Sequence, residues 1–325
     1  MRNRERSVEV TDAPIYLSPA FSPRPAEDLT FLRWIDGRTG FGLFWIDIVR
    51  PLLQTVKAKS LLEIGADKGT HTRLLLTYCA ASDGSLIVIE PIVTEALREV
   101  VGDSRRVTLL AEKSQAALPR LEARIDAVLL EGDLNYHSVL TDLREIAELS
   151  QRQGIPFPLV FFANASWPYA RRDMYYDPES LPAAARHSYA RAAMTPWSPG
   201  LEPGMINYPF ANAEWEGGAK NGVLTAVEEF VRDADPPLQL FLVPVNHGLG
   251  IVFSEGSRAA AFIQENLAVP PWMRLFLETL ELARLNTIVS EFRRRHERQR
   301  GRGIRGKILC VVRNIGRRVI GILEK

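Results

Sequence analysis

The sequence predicts an α/β protein built on a doubly wound, mostly parallel β-sheet. From Ser60 onwards, short apolar runs alternate with helix-like stretches, a pattern typical of parallel sheets. The clearest unit is the segment 61–70, in which an apolar run reaches Glu63 and is followed by Gly65 and Gly69. Glycine lets a turn approach a ligand closely, and the free N–H groups of a following helix would point at that ligand. The segment therefore predicts a strand, a ligand-binding glycine turn and a helix.

A second strand, Ser85–Ile89, ends at Glu90, twenty-five residues after Gly65. In nucleotide-binding α/β folds, an acidic residue about 20 residues beyond the glycine turn hydrogen-bonds the ribose hydroxyls. Glu90 alone could be an ordinary acidic residue at a strand end. Its spacing from the glycine turn favours the ligand-binding interpretation.

The remaining elements follow the same alternation along the chain. We predict strands at 107–110, 125–130 and 158–162, helices at 139–150 and 223–231, and a closing hairpin that turns at Asn246 and His247. About fifty residues after Ala163 carry no clear pattern, and a segment of that length inside a compact domain is usually functional. The expected organisation is an N-terminal arm with helices (1–58), an α/β core (59–255) and a helical basic extension (256–325).

Composition indicates a soluble globular protein, with 46% hydrophobic and 24% charged residues. The two cysteines, Cys79 and Cys310, suggest no disulfide framework, which favours a reducing cytoplasm. The charged N-terminus does not resemble a signal peptide, and no apolar run reaches membrane-spanning length. We therefore expect a cytoplasmic location, with membrane association as a second possibility.

The net charge of +1 conceals a basic C-terminal tail. Residues 291–325 hold twelve Lys or Arg against three Glu, whereas the rest of the chain holds 28 basic and 36 acidic residues. Apolar residues alternate with the basic ones, so the tail could lie on an anionic membrane or pack against a partner chain in a homo-oligomer such as a dimer. Nucleic acid is not an expected partner, because the tail lacks aromatic residues for base stacking.

The glycine spacing is neither the dinucleotide pattern nor the phosphate-loop pattern. It resembles the E-x-G-x-x-x-G motif of class I S-adenosylmethionine-dependent methyltransferases. The segment 167–179 (WPYARRDMYYDPE) is similar to a WPYGRRDLYY signature of one bacterial branch, often found in natural-product and polysaccharide biosynthesis. The segments 216–228 and 247–251 also resemble that branch, so the resemblance covers roughly residues 30–255.

This resemblance implies a Rossmann-like core that binds S-adenosylmethionine and methylates an oxygen of a small-molecule acceptor, such as a sugar, a glycoside or another natural product. A methyltransferase fold with a different reaction, or a silent binding subunit, are the alternatives. The implied cofactor-binding residues are Glu63, Gly65, Ala66, Lys68, Gly69, Thr70, Glu90, Pro91, Ser114 and Glu131.

Two positions depart from the pattern of metal-dependent relatives. Such relatives carry Asp-Gly-Asp-His after the fourth strand, where this chain has Glu131-Gly132-Asp133-Leu134. Their His-Asp after the fifth strand is here Ala163-Asn164. Magnesium prefers several oxygen ligands, usually including carboxylates. We therefore predict no strong divalent metal site.

Without a metal, an O-methyltransferase needs a general base. The catalytic candidates are Asp133, Asn164, Arg172, Asp173 and His247. Asp133 is the best-placed base. Arg172 and Asp173 either bind an anionic or sugar-like substrate or anchor the long loop by ion pairing.

Overall fold

The computed structural model describes residues 40–202, 206–208 and 210–295. The predicted N-terminal arm and the tail beyond residue 295 lie outside these residues. A central sheet has the strand order β3-β2-β1-β4-β5-β10-β9. Its strands are β1 (Ser60–Ile64), β2 (Ser85–Ile89), β3 (Val107–Leu110), β4 (Ala127–Leu130), β5 (Leu159–Ala163), β9 (Leu238–Val243) and β10 (Leu249–Ser254).

Strands β1 to β5 run parallel, and β10 pairs antiparallel with both β5 and β9. The central strands are buried on both faces, which explains their continuous apolar sequences. The order reverses between β1 and β4, so the chain switches sides of the sheet there. The predicted doubly wound fold with a closing hairpin is confirmed.

Helices cover both faces of the sheet. Phe41–Phe44 and Trp45–Val49 form irregular helical turns before the first α-helix. The α-helices are α1 (Arg50–Val56), α2 (Thr70–Ser82), α3 (Glu95–Val101), α4 (Ser114–Ala117), α5 (Tyr136–Gln153), α6 (Val223–Arg232), α7 (Arg258–Asn266) and α8 (271–295). Within the described residues, no helix is long and apolar enough to cross a membrane.

The segment after β5 contains a second, three-stranded antiparallel sheet. Its strands are β6 (Met174–Tyr175), β7 (Tyr189–Arg191) and β8 (Ala211–Ala213), in the order β6-β8-β7. This sheet was not predicted from the sequence. Strands of two or three residues are too short to show an alternating pattern, and the sheet forms through pairing between distant parts of the segment.

Helix α8 is fixed to the hairpin that closes the central sheet. The buried carboxylate of Glu281 accepts the backbone N–H groups of Asn246 and His247, at 2.9 and 3.1 Å. Arg284 donates to the same carboxylate in two bonds of 2.7 Å. Burial alone would raise the pKa of Glu281, but these hydrogen bonds and the Arg284 charge hold the pKa below its ordinary value. The helix therefore has a defined orientation on the core.

Gly250 allows β10 to pack closely beside β5. It pairs with Phe162, and a side chain at Gly250 would overlap the Phe162 ring. We expect Gly250→Ala to lower the free energy of unfolding by about 1–3 kcal/mol, the usual cost of overpacking a core. Denaturant unfolding measures this change.

The matched test is a double-mutant cycle with Phe162→Leu. The smaller side chain should remove much of the alanine penalty, because the two substitutions compete for one space. If Gly250→Ala lowers the free energy of unfolding equally in the unmodified protein and in the Phe162→Leu variant, this account of the packing is wrong.

Candidate functional site

A cavity of about 580 Å³ lies beyond the carboxyl ends of β1, β2 and β4. Ligands of doubly wound sheets bind at this edge, beside the point where the strand order reverses. The lining comes from the glycine turn, the β2–α3 connection, the start of α4, the end of β4 and the long segment after β5. These residues are Gly40, Ile64, Gly65, Ala66, Asp67, Lys68, Thr70, His71, Ile89, Glu90, Pro91, Ile92, Thr94, Lys113, Ser114, Gln115, Glu131, Gly132, Asp133, Tyr176, Asp177 and Ser180.

Gly65 brings the ends of β1 and β4 together. It has a φ of +86°, and a side chain there would overlap the backbone of Glu131 and Gly132. Its own N–H donates to the carbonyl of Ile89 at 3.0 Å. Only glycine combines this conformation with this close approach.

Glu90 closes the turn from the neighbouring strand. One carboxylate oxygen accepts the N–H groups of Ala66 and Asp67, at 2.9 and 3.0 Å, and the other accepts that of Ile92 at 2.9 Å. A carboxylate offers about four acceptor positions, so three backbone bonds leave capacity for a further donor. Glu90 thus shapes the glycine turn while facing the cavity.

Two predicted cofactor-binding residues, Glu63 and Gly69, do not line the cavity. Glu63 is buried beneath the turn and accepts the hydroxyl of Thr72 at 2.7 Å. Gly69 begins α2 with a φ of +79° and packs against Leu97 and Val100. Both residues support the turn from behind. The other eight predicted cofactor-binding residues all line the cavity.

The cavity is rich in carboxylates, namely Asp67, Glu90, Glu131, Asp133 and Asp177, against the two cations Lys68 and Lys113. Burial, followed by the charge of Asp67, raises the pKa of Glu131 to about 7. A positively charged ligand would relieve the repulsion between these groups and favour ionised Glu131.

His71 is packed against this acidic group. Its Nδ1 lies 3.3 Å from Oε2 of Glu131, and its ring meets Phe41 edge-on, with ring centres 5.2 Å apart. Burial lowers the pKa of His71 to about 4, so the ring is neutral at pH 7. Its Nε2 has no hydrogen-bond partner among the described residues.

Asp133 is the predicted catalytic residue that reaches the cavity. Its Oδ2 accepts the hydroxyl of Ser138 at 2.9 Å, which fixes the carboxylate at the start of α5. Asn164 follows β5 with a φ of +61° and does not line the cavity. His247 is also outside the lining, and its Nδ1 lies 3.1 Å from the carbonyl oxygen of Trp167.

Arg172 and Asp173 are fully buried and lie outside the cavity. Arg172 donates to the carbonyls of Ala213 and Pro199. Asp173 accepts the N–H groups of Tyr136 and Gly222, at 2.8 and 2.7 Å, and the Tyr175 hydroxyl at 2.9 Å. Of the two predicted roles, this geometry corresponds to loop anchoring, because the Asp173 carboxylate and both terminal guanidinium nitrogens of Arg172 bind groups of the protein.

Several lining residues were not among the sequence candidates, including Asp67, His71, Thr94, Tyr176 and Asp177. Asp67 lies inside the glycine turn, and Tyr176 and Asp177 belong to the WPY segment, so sequence motifs indicated that they could be near the site. No motif indicated this for His71 or Thr94. Among the described residues, no group of three or more His, Cys, Asp or Glu side chains could hold a metal ion.

The fold and the cavity define a doubly wound α/β protein with a cavity at its switch point. Residues 62–157, from β1 to the end of α5, match the family model of a methyltransferase domain. This match supports a methyltransferase, and it covers well under half of the chain. The WPY segment lies beyond the matched residues.

Comparison with solved structures finds distant similarities. The SAH-bound methyltransferase PaMTH1 of Podospora anserina is 15% identical, with 71% of this chain and 89% of that chain covered and a TM-score of 0.38. An O-methyltransferase of Bacillus cereus, solved with SAH, is 13% identical over 63% of this chain and 78% of that chain, with a TM-score of 0.36. Similarity at this level identifies neither the activity nor the ligand of this chain. No curated protein matches it.

The buried carboxylates predict that stability falls as pH rises. Burial, followed by the charges of Glu131 and Glu90, raises the pKa of Glu63 to about 8, against an ordinary 4.5, and only the Thr72 bond opposes the shift. Between these values the folded protein holds a proton that the unfolded chain releases, so stability is lost as pH rises through 8. Glu63→Gln should reduce this loss, measured by denaturant unfolding between pH 6.5 and 8.5.

The opposite contribution of His71, whose pKa burial lowers to about 4, is present in both proteins and therefore cancels from the comparison. The exposed Glu255→Gln is the control and should leave the pH profile unchanged. If Glu63→Gln and the unmodified protein lose the same stability across the window, Glu63 does not carry the buried proton.

Proposed function

We propose that this chain is an S-adenosylmethionine-dependent O-methyltransferase of a small biosynthetic intermediate. The observation that carries the proposal is the carboxylate-rich cavity at the glycine turn, within the segment that matches a methyltransferase domain. S-adenosylmethionine supplies an electrophilic methyl group on a sulfonium, which becomes a neutral thioether when the methyl passes to an acceptor oxygen. The acceptor proton must leave as that bond forms.

The residues of the cavity fit this donor. Glu90 retains acceptor capacity beyond its three backbone bonds, and ribose hydroxyls would fill it. Glu131, Asp67 and Asp133 favour a ligand that carries a sulfonium and an ammonium group. Lys113, Ser114 and Gln115 also line the cavity, and their polar groups could contact the adenine base of the donor.

Asp133 is the proposed general base. It is a cavity carboxylate fixed by Ser138, at the place where metal-dependent relatives carry a ligand. The equivalent positions Leu134 and Ala163 are buried apolar residues that offer no ligand. The proposed chemistry therefore depends on alignment of donor and acceptor and on proton removal by this side chain.

The acceptor is proposed to bind beside Tyr176, because this residue lines the cavity and is more than half exposed. Loss of hydration, followed by the charges of Glu131 and Asp133, raises the pKa of Tyr176 to about 12. The ring meets Phe210 edge-on, with centres 6.0 Å apart, and both rings are exposed. Such aromatic surfaces suit flat or sugar-like acceptors.

The first test is binding of S-adenosylmethionine or its demethylated product by calorimetry. We expect micromolar affinity and a loss of about 1–3 kcal/mol in Glu90→Ala, which removes the charged acceptor. Glu99→Ala, an exposed carboxylate on α3, is the matched control and should bind normally. Absence of binding by the unmodified protein would overturn the proposal.

Glu90 also holds the turn, so a second ligand separates its two roles. An analogue without the ribose hydroxyls should bind the unmodified protein more weakly than the parent ligand does. The Glu90→Ala variant should bind the two ligands about equally, because it lacks the carboxylate that accepts hydrogen bonds from the ribose hydroxyls. A constant difference between the ligands would show that Glu90 acts on the turn alone.

The second test concerns metal. Magnesium that bound the folded protein would raise the melting temperature with concentration. We expect no such rise up to roughly 10 mM, because Leu134 and Ala163 offer no oxygen side chain and Asn164 offers only an amide. A rise that disappears in Asp133→Asn would contradict this prediction.

A further inference from the structure

Helix α8 has apolar residues on two opposite faces. Its inner face contains Glu281, Leu285 and Val289, which are buried against the core. Trp272, Phe276 and Leu280 each precede one of these residues by nine positions, or two and a half helical turns, and so lie on the opposite side.

We call this opposite side the outer face and define it as Trp272, Leu275, Phe276 and Leu280. Their exposed fractions are 62%, 63%, 51% and 46% within the described residues. A helix that packs one face on a domain normally shows polar residues on the other. Four large apolar side chains along three turns therefore need an explanation.

The orientation of this face is fixed. Glu281 accepts the N–H groups of Asn246 and His247, and Arg284 holds the same carboxylate. The hairpin turn that they clamp lies at the carboxyl end of β5, on the cavity edge of the sheet. Rotation of α8 to bury the outer face would break the two bonds between Glu281 and the hairpin backbone.

Positive charge follows directly on the same helix. Arg293, Arg294 and Arg295 are exposed, and among the described residues only Arg294 has an acidic partner, Glu291. The sequence from 296 to 325 adds nine Lys or Arg against two Glu. The helix thus presents aromatic and aliphatic side chains first and a basic segment after them.

We propose that the outer face of α8 docks on an anionic lipid surface. Aromatic and aliphatic side chains enter the headgroup boundary, while neighbouring arginines contact anionic headgroups. A second copy that packs its own α8 against this face fits less well, because the acidic residues of that helix already have partners. Glu278 and Glu291 already pair with Arg274 and Arg294, and Glu281 pairs with Arg284.

The experiment is co-sedimentation of the full chain with phosphatidylcholine vesicles, with and without phosphatidylglycerol, at low and high salt. We expect binding to the anionic vesicles that weakens with salt. The double variant Trp272→Ser/Phe276→Ser should bind at least about tenfold more weakly, since it loses two apolar side chains that would be buried in the lipid surface. Trp197→Ser, an exposed tryptophan far along the chain from α8, should bind normally.

A second variant, Arg293→Glu/Arg295→Glu, tests the charge and should remove the preference for anionic vesicles. Melting curves confirm that the variants fold, and unchanged affinity for S-adenosylmethionine separates this proposal from the proposed function. Failure of the full chain to bind anionic vesicles overturns the proposal. A dimer by light scattering that becomes a monomer in the Trp272/Phe276 variant, without vesicle binding, would assign the face to a second copy instead.

Discussion

The site depends on one carboxylate between two strands. Glu90 ends β2, yet its oxygens hold the backbone of the glycine turn that follows β1 through Ala66 and Asp67, and a third bond to Ile92 fixes its own connection. The turn lies at the switch point of the sheet, and Gly65 permits the close approach of Glu131 from β4. Because these bonds are made by the protein alone, the edge of the cavity is shaped before any ligand arrives. A ligand that adds a donor to Glu90 would extend an existing network rather than create one.

The electrostatics of the cavity follow from the same crowding. Burial raises the pKa values of both Glu63 and Glu131 well above that of a free glutamate, and nearby carboxylates add to the shift, namely Glu131 and Glu90 for Glu63 and Asp67 for Glu131. His71 cannot neutralise them, because burial keeps its own ring uncharged. Near neutral pH these carboxyl groups are therefore partly protonated in the folded protein. Binding of a cationic ligand would favour their ionised forms. This arrangement costs stability at high pH and favours binding of a positively charged donor, a compromise often found at functional sites.

The sequence was most informative where chemistry and periodicity coincide. Apolar runs located β1 to β5, and the spacing of Gly65 and Glu90 located the cavity edge, because both signals are local. Roles within the segment after β5 could not be predicted from sequence. For Arg172 and Asp173 the sequence left both substrate binding and loop anchoring open. Their role depends on hydrogen-bond partners such as Ala213 and Gly222, which lie more than forty residues away in the sequence. Tyr176 stands only three residues after Asp173, yet one is a cavity residue and the other a buried anchor.

That proximity explains how a long segment can serve the site. Asp173 binds the start of α5 through Tyr136 and the start of α6 through Gly222, while Asn221 holds the Asp173 backbone from the far end of the segment. Many polar groups of this buried segment are thereby paired within the protein, although Nε1 of Trp167, Nε of Arg172 and Oγ1 of Thr195 have no hydrogen-bond partner among the described residues. The short strand β6 continues from this anchor and brings Tyr176 to the cavity. The motif that resembles a methyltransferase signature thus combines two features, because Arg172 and Asp173 are buried anchors of the segment and Tyr176 lines the cavity.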